Sequence, residues 1–175
     1  MSSISAYDAS IFPSDLSKNP SLLKPTAFTH GLLAGGRFSL RATYQLSSAQ
    51  LLALQTTAIV LAAAPGAGFA LMPTALTSQY KYLTTAYTLG NADNIFQIEY
   101  VGKTTNLLSQ PAAGLVDQVV NEIAMANKAV VGGIIAQTNR ENLGLEVKLT
   151  GTAAALTLGV GTLVLSLDYD ILPLV

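Results

Sequence analysis

The feature that most constrains the fold is strict two-residue alternation, repeated at widely separated points of the chain. Near the C-terminus Leu163, Leu165, Leu167, Tyr169 and Ile171 alternate with Val164, Ser166, Asp168 and Asp170. Successive side chains of a strand point to opposite faces, so this pattern describes a strand with one face in a core and one in polar surroundings. From Phe38, residues Leu40, Ala42, Tyr44 and Leu46 alternate with Ser39, Arg41, Thr43 and Gln45. Leu143, Leu145, Val147 and Leu149 alternate with Gly144, Glu146 and Lys148, and over 95–101 Phe96, Ile98 and Tyr100 alternate with Gln97 and Glu99. A strand over 57–63 places Thr57, Ile59 and Leu61 on one face, and a long extended stretch over 69–82 bends near Pro73. About seven or eight strands at short spacing predict a mainly β chain, a jelly-roll-like antiparallel β-sandwich.

Between these strands the punctuation is specific. Ser47 stands where a helix N-cap would, Gln50 at the reciprocal capping-box position, and Leu46 and Leu51 where a hydrophobic staple would close. A helix of about two turns ending at Leu54 follows. In Ala64-Pro65-Gly66-Ala67-Gly68, Pro65 presets φ and Gly66 supplies the positive φ of a type II turn. Over 115–130 the signals divide: Leu115, Val119 and Ile123 recur every fourth residue, which favours a second helix over 115–124, followed by a strand near 129–136, while the β-branched content argues for strand. Residues 151–161, rich in Ala, Thr and Gly, form a connection.

Residues 1–37 differ in kind. They carry Pro13, Pro20 and Pro25, many serines and no sustained period, and Gly35-Gly36 marks a joint. They are too apolar for a solvated tail. The expectation is an extended N-terminal arm at 1–37 on a β-sandwich body at 38–175. Ile4, Tyr7, Ile11, Phe12, Leu16, Leu22, Leu23 and Phe28 would be the anchors by which the arm docks on a partner, a sister subunit or its own body.

Composition narrows the function. The chain has 175 residues, of which 50% are hydrophobic and 11% charged. That charge content is well under the ~25% usual in soluble proteins. A surface of Ser, Thr, Gln, Asn, Ala and Gly costs little to desolvate and suits permanent protein contact. The net charge is −1 and the nine basic residues are scattered, so there is no basic stripe for nucleic acid. The most apolar stretch, 51–76, is broken by Gln55, Thr56, Thr57 and Pro65-Gly66, short of the about 20 apolar residues of a membrane span. With no cysteine, disulfides and thiolate metal sites are excluded. The start, Met-Ser-Ser-Ile-Ser, lacks the form of a signal peptide.

Each candidate for chemistry has a plainer competitor. His30 is the only histidine and sits in the arm, without the further ligands or the orienting carboxylate that metal or triad chemistry needs. Gly102-Lys103-Thr104 matches the end of a phosphate loop, but Gln97 stands where the first glycine must be, which leaves a strand-end turn. Gly159-Val160-Gly161 lacks the third glycine and the helix of a dinucleotide fingerprint. Asp168 and Asp170, in line with Ser166, could share Ca²⁺; the favoured reading is the solvent face of a final strand, guarding a sheet edge. Tyr80, Tyr82 and Tyr87 could stack on sugars, but cross-strand packing is favoured and there is no Trp. No catalytic, cofactor-binding or metal residue is assigned, and the chain is not read as an enzyme.

Several stretches carry a resemblance. They are Ser-Ala-Gln-Leu-Leu-Ala-Leu from Ser48, Thr-Thr-Ala-Ile-Val-Leu-Ala-Ala-Ala-Pro-Gly-Ala-Gly from Thr56, Glu141-Asn142-Leu143-Gly144-Leu145, a Leu-Thr-Gly-Thr segment, and the closing Gly-Thr-Leu-Val-Leu-Ser-Leu-Asp-Tyr. The chain resembles the jelly-roll head-decoration, or cement, proteins of tailed bacteriophages over about residues 46–170, most strongly at 49–68 and 141–169. Its long arm and the 115–128 stretch depart from that pattern. The resemblance implies a structural virion protein made in the host cytoplasm. It would bind the outer surface of a phage head as a homotrimer, contact the major capsid protein and stabilise contacts between its subunits. The competing reading is a tail or fibre module that binds a receptor or carbohydrate.

Overall fold

The structure, a computed structural model, describes residues 38–127 and 140–174. The arm at 1–37, with its eight anchors and His30, and the strand expected near 129–136 lie outside the described residues.

The alternating segments become strands. β1 (Phe38–Leu46) pairs antiparallel with β10 (Val160–Pro173), from Phe38 opposite Ile171 to Leu46 opposite Leu163 without a break. This register sets Leu40, Ala42, Tyr44 and Leu46 against Tyr169, Leu167, Leu165 and Leu163, so both apolar rows share one face. β3 (Phe69–Thr85) lies on the other side of β10, and β7 (Glu122–Asn127) pairs with β3 from Tyr80 to Ala75. The bend expected near Pro73 is a bulge: Asp168 faces Ala75 and Tyr169 faces Pro73, which leaves Thr74 unopposed. Proline has no N–H to give, and a bulge is where a strand tolerates it.

A second sheet is built from β2 (Ile59–Ala62), β8 (Leu145–Thr150), β5 (Ile95–Tyr100) and β6 (Leu108–Pro111), in that order. The first sheet has the order β1-β10-β3-β7. Partners are therefore nested: β1 with β10, β2 with β8, β3 with β7, β5 with β6. Folding such a nested ribbon over itself gives two four-stranded antiparallel sheets, the jelly roll the sequence predicts. The expected 151–161 connection contains the short strand β9 (Leu156–Thr157), which pairs with β4 (Thr88–Leu89).

Leu71, Leu76, Leu163, Leu165 and Leu167 from the first sheet and Phe96, Ile98, Leu145, Val147 and Leu149 from the second form one buried core. Two hydrogen bonds cross it, Tyr100 Oη to Leu71 O at 2.6 Å and Ser78 Oγ to Gln110 Oε1. Helix α1 (Ser48–Ala53) has the predicted capping box: Ser47 N donates to Gln50 Oε1 at 2.9 Å, and Ser47 Oγ accepts from Gln50 N. Leu46 and Leu51, the staple pair, are both fully buried.

Two expectations are corrected here. The strand over 57–63 is limited to Ile59–Ala62, with an irregularity between Val60 and Ala62, and Thr57 is exposed. The helix over 115–124 does not form. Gly114 adopts φ 78°, Leu115 and Val116 both donate to Ala112 O in a single turn, and residues from Glu122 are strand β7. Leu115 and Val116 are buried, whereas Val119 and Ile123 are 67% and 69% exposed. The four-residue spacing therefore does not define a common face. From Glu122 onward, pairing with β3 supplies the backbone partners that a helix would have supplied.

Candidate contact surfaces

The sequence motifs that carry the resemblance meet in space as structural parts. Gly66 and Gly68 take φ 108° and 78° in the turn after Pro65. Their amides donate to Asn142 Oδ1 and Glu141 Oε1, both at 2.9 Å. Asn142 N returns a bond to Phe69 O at 2.9 Å, and Glu141 bridges to Ala70. Glu141-Asn142 is thus a clamp that closes the Pro-Gly turn onto the start of β3.

Gly159 and Gly161 serve packing. A Cβ on Gly159 would fall inside the Tyr87 ring, and one on Gly161 would lie 2.7 Å from Tyr80 Cε2. Tyr80 and Tyr87 are 2% exposed and pack edge-to-face, with ring centroids 6.1 Å apart. Tyr87 Oη donates to Gly161 O at 3.0 Å, while Tyr80 Oη is buried with no partner. Burial, helped by the neighbouring Tyr87, Tyr82 and Asp117, pushes Tyr80 up to about 12. Tyr82, half-buried, donates to Thr84 O at 2.6 Å. Cross-strand packing, rather than an open stacking platform, is what these tyrosines do.

Asp168 and Asp170 lie in line with Ser166, as expected, but β10 is not an edge. It runs between β1 and β3, and Asp170 is only 4% exposed, so the edge-guarding reading is corrected, and for Asp170 the solvent-facing one as well. The three residues face β1 as a polar ladder. Arg41 donates to Asp168 through Nε at 2.6 Å and Nη2 at 2.8 Å, Ser39 Oγ donates to Asp170 at 2.6 Å, and Thr43 and Ser166 share a bond at 3.2 Å. Hydrogen bonding from Arg41 holds the Asp168 carboxyl below its ordinary value. The strand order could not be read locally, and it decides this point. Gly102-Lys103-Thr104 is a strand-end turn, with Gly102 at φ 72° and Lys103 N donating to Tyr100 O at 2.8 Å. No group of three metal-ligating side chains occurs among the described residues. No helix among them is long and apolar enough to cross a membrane.

The alternation over β5 correctly separates Phe96, Ile98 and Tyr100 from Gln97 and Glu99, yet Gln97 and Glu99 are also buried, at 8% and 3% exposure. Glu99 lies directly opposite Glu146 and accepts from Gln97 Nε2 at 2.9 Å. Burial raises the Glu99 carboxyl; Gln97 and Lys148 oppose that rise, and Glu146 adds to it.

One surface escaped the sequence reading. Of the nine exposed large hydrophobics described, seven gather at one corner of the first sheet: Leu83, Val119, Val120, Ile123, Met125, Leu158 and Val160. The register explains why. β3 ends, β10 begins and β7 begins together there, with Val160 opposite Thr85, Gly161 opposite Tyr82, and Tyr80 opposite Glu122. Alternation over 122–127 was the available signal, masked because the larger side chains, Ile123 and Met125, point outward and alanines point in.

No family model and no curated protein matches this chain. Among solved structures it is similar to a chain of the cyanophage Pam1 capsid asymmetric unit, at 9% identity and a TM-score of 0.46, over 77% of this chain and 86% of that one. It is also similar to a chain of the capsid of Ralstonia phage GP4, at 16% identity and a TM-score of 0.34, over 77% of this chain and 84% of that one. These likenesses are too distant to carry a function from those chains to this one.

Proposed function

We propose that this chain is a structural protein of a virion. It decorates the outer surface of a phage head, binds the major capsid protein, and stabilises contacts between capsid subunits. The observation that carries this reading is the part the resembling motifs play. Stretches 49–68 and 141–169, where the likeness to head-decoration proteins is strongest, supply α1, β2, the clamped Pro-Gly turn, β8 and most of β10. They are structural parts of both sheets, and no group of three metal-ligating side chains occurs among the described residues. Fold alone does not fix function. The composition supports the same reading, because a surface poor in charge makes contacts that salt screens little.

In this account the rigid β body presents the arm, and burial of the arm's apolar anchors contributes ~25 cal/mol per Å² before ordering costs. Several copies acting together convert weak contacts into firm attachment. The carbohydrate-binding alternative gains no support from the tyrosines, since Tyr80 and Tyr87 are buried. Deletion of residues 1–37 tests the reading. The truncated body should keep its β spectrum and lose binding to heads. Undiminished head binding by the truncated body, or glycan binding without affinity for heads, would overturn it.

A further inference from the structure

Every open sheet has edges, and soluble proteins guard them with charge, proline, bulges or brevity. Among the described residues the two sheets have four edge strands, and three of them are guarded. β1 carries Arg41, whose side chain is 63% exposed. β2 has four residues and an irregular register. β6 has four residues and ends in Pro111. β7 has none of these devices. It is six residues long, in regular register with β3, and its single charge, Glu122, stands at its first position. Its outward face presents Ile123 and Met125 at 69% and 71% exposure, opposite Gln79 and Thr77 of β3. Beyond the exposed Lys81, the exposed apolar side chains Leu83 and Val160 stand where β3 ends and β10 begins, with Leu158, Val119 and Val120 in the adjoining connections.

We propose that this corner, centred on the β7 edge, is the surface through which copies of this chain associate with one another. Three observations select a second copy as the occupant. The first is charge. Two β7 strands paired antiparallel about Ala124 would set Ile123 against Met125 and Glu122 against Ala126. No like charges meet, and apolar side chains face apolar ones. The second is area. Fully burying an aliphatic side chain removes roughly 60–120 Å² from water, from 1.5–3 kcal/mol at 25 cal/mol per Å². Seven side chains exposed by 42–74% then offer, at that rate, roughly 200–500 Å² of apolar surface per copy. A standard interface buries ~800 Å² per partner, of which roughly 450–520 Å² is apolar. The corner alone can therefore supply much of the apolar part of one such interface. The third is composition. Permanent interfaces between identical subunits are the more apolar kind, and an apolar patch is complementary to itself without a matching charge pattern on a different protein.

This inference deepens the reading above by naming the surface of self-association, and it is tested on free full-length protein without heads. Its failure therefore leaves head binding to be judged separately. The probe is the mass of the protein in solution by light scattering and sedimentation equilibrium, for wild type, for the double variant Ile123→Lys and Met125→Lys, and for Val60→Lys. Val60 is 49% exposed on β2, in the other sheet, and serves as the control. The expected result is a multimer for wild type and Val60→Lys, and a folded single chain for the double variant, with the β7 amides losing hydrogen-exchange protection. Monomeric wild type would overturn the proposal. So would a double variant that remains multimeric, or dissociation of Val60→Lys to the same extent. Protection of the β7 amides in a monomer would mean that the chain's own residues cover the edge, and would overturn it as well.

Discussion

Tyr80 and Tyr87 are packed against each other and equally buried, yet removing their hydroxyls should shift stability in opposite directions. Tyr87 Oη donates to Gly161 O at 3.0 Å. Tyr87→Phe loses that bond, and a typical loss is ~0.5–1.5 kcal/mol. Gly161 O keeps a donor in Ser48 Oγ at 2.8 Å, so the cost falls toward the lower end, about 0.5–1 kcal/mol. Tyr80 Oη is buried without a partner. A buried hydroxyl left unsatisfied costs ~1–3 kcal/mol, so Tyr80→Phe should stabilise the fold by about 1 kcal/mol. Both variants keep the ring pair and the core volume, which isolates the hydroxyls. Chemical unfolding should give an unchanged m value with midpoints displaced to either side of wild type. Thermal midpoints should separate by roughly 3–8 °C, at 2–4 °C per kcal/mol for a chain of this size. Alkaline titration should show a phenol near 12 that Tyr80→Phe removes. A Tyr80→Phe variant less stable than wild type, or two variants shifted alike, would refute the hydrogen-bond assignment.

Gly159→Ala should destabilise by about 1–3 kcal/mol in equilibrium unfolding, because its Cβ would fall within the Tyr87 ring; a Tyr87→Ala background should relieve most of that cost. Glu99→Gln keeps an acceptor for Gln97 and removes one of two opposed carboxylates, so it should stabilise at neutral pH by roughly 0.2–1 kcal/mol. The sign follows from the raised Glu99 carboxyl. The folded state holds that proton more tightly, so wild type loses stability as pH rises above the ordinary 4.5, and the advantage of the variant should shrink toward acid. Asp168→Asn should show the opposite dependence. Asp168 is held below its ordinary 3.8, so wild type keeps its full advantage above that pH and loses it as pH falls below, as read by unfolding across an acid series.

Much of the fold is legible because most strands have one apolar and one polar face. The unbroken register of Leu40 to Leu46 against Tyr169 to Leu163 is the alternation of each segment expressed as contact. The helix was legible because Ser47 and Gln50 can satisfy each other's amides only at that spacing. Other points depended on tertiary partners. Nothing in Asp168 or Asp170 says that β10 lies between two neighbours, because strand order is set by pairings far apart in the chain. Gln97 and Glu99 look like solvent-facing residues, yet both are buried. The four-residue spacing of Leu115, Val119 and Ile123 predicts a helix that runs into β7 as far as Ala124, whereas the outward row of β7, Ile123 and Met125, is apolar against the usual pattern, a departure that supports the contact surface proposed above. The arm anchors were chosen from composition alone, and they lie outside the described residues.

Binding of the full-length protein to intact heads that lack it tests the central claim most directly. Increasing amounts of protein are added, the heads are sedimented, and bound copies per head are counted. The account predicts saturation at a fixed ratio and heads that then withstand higher temperature before releasing DNA. Folded protein that stays in the supernatant at every concentration, or binds without limit and leaves head stability unchanged, would contradict it.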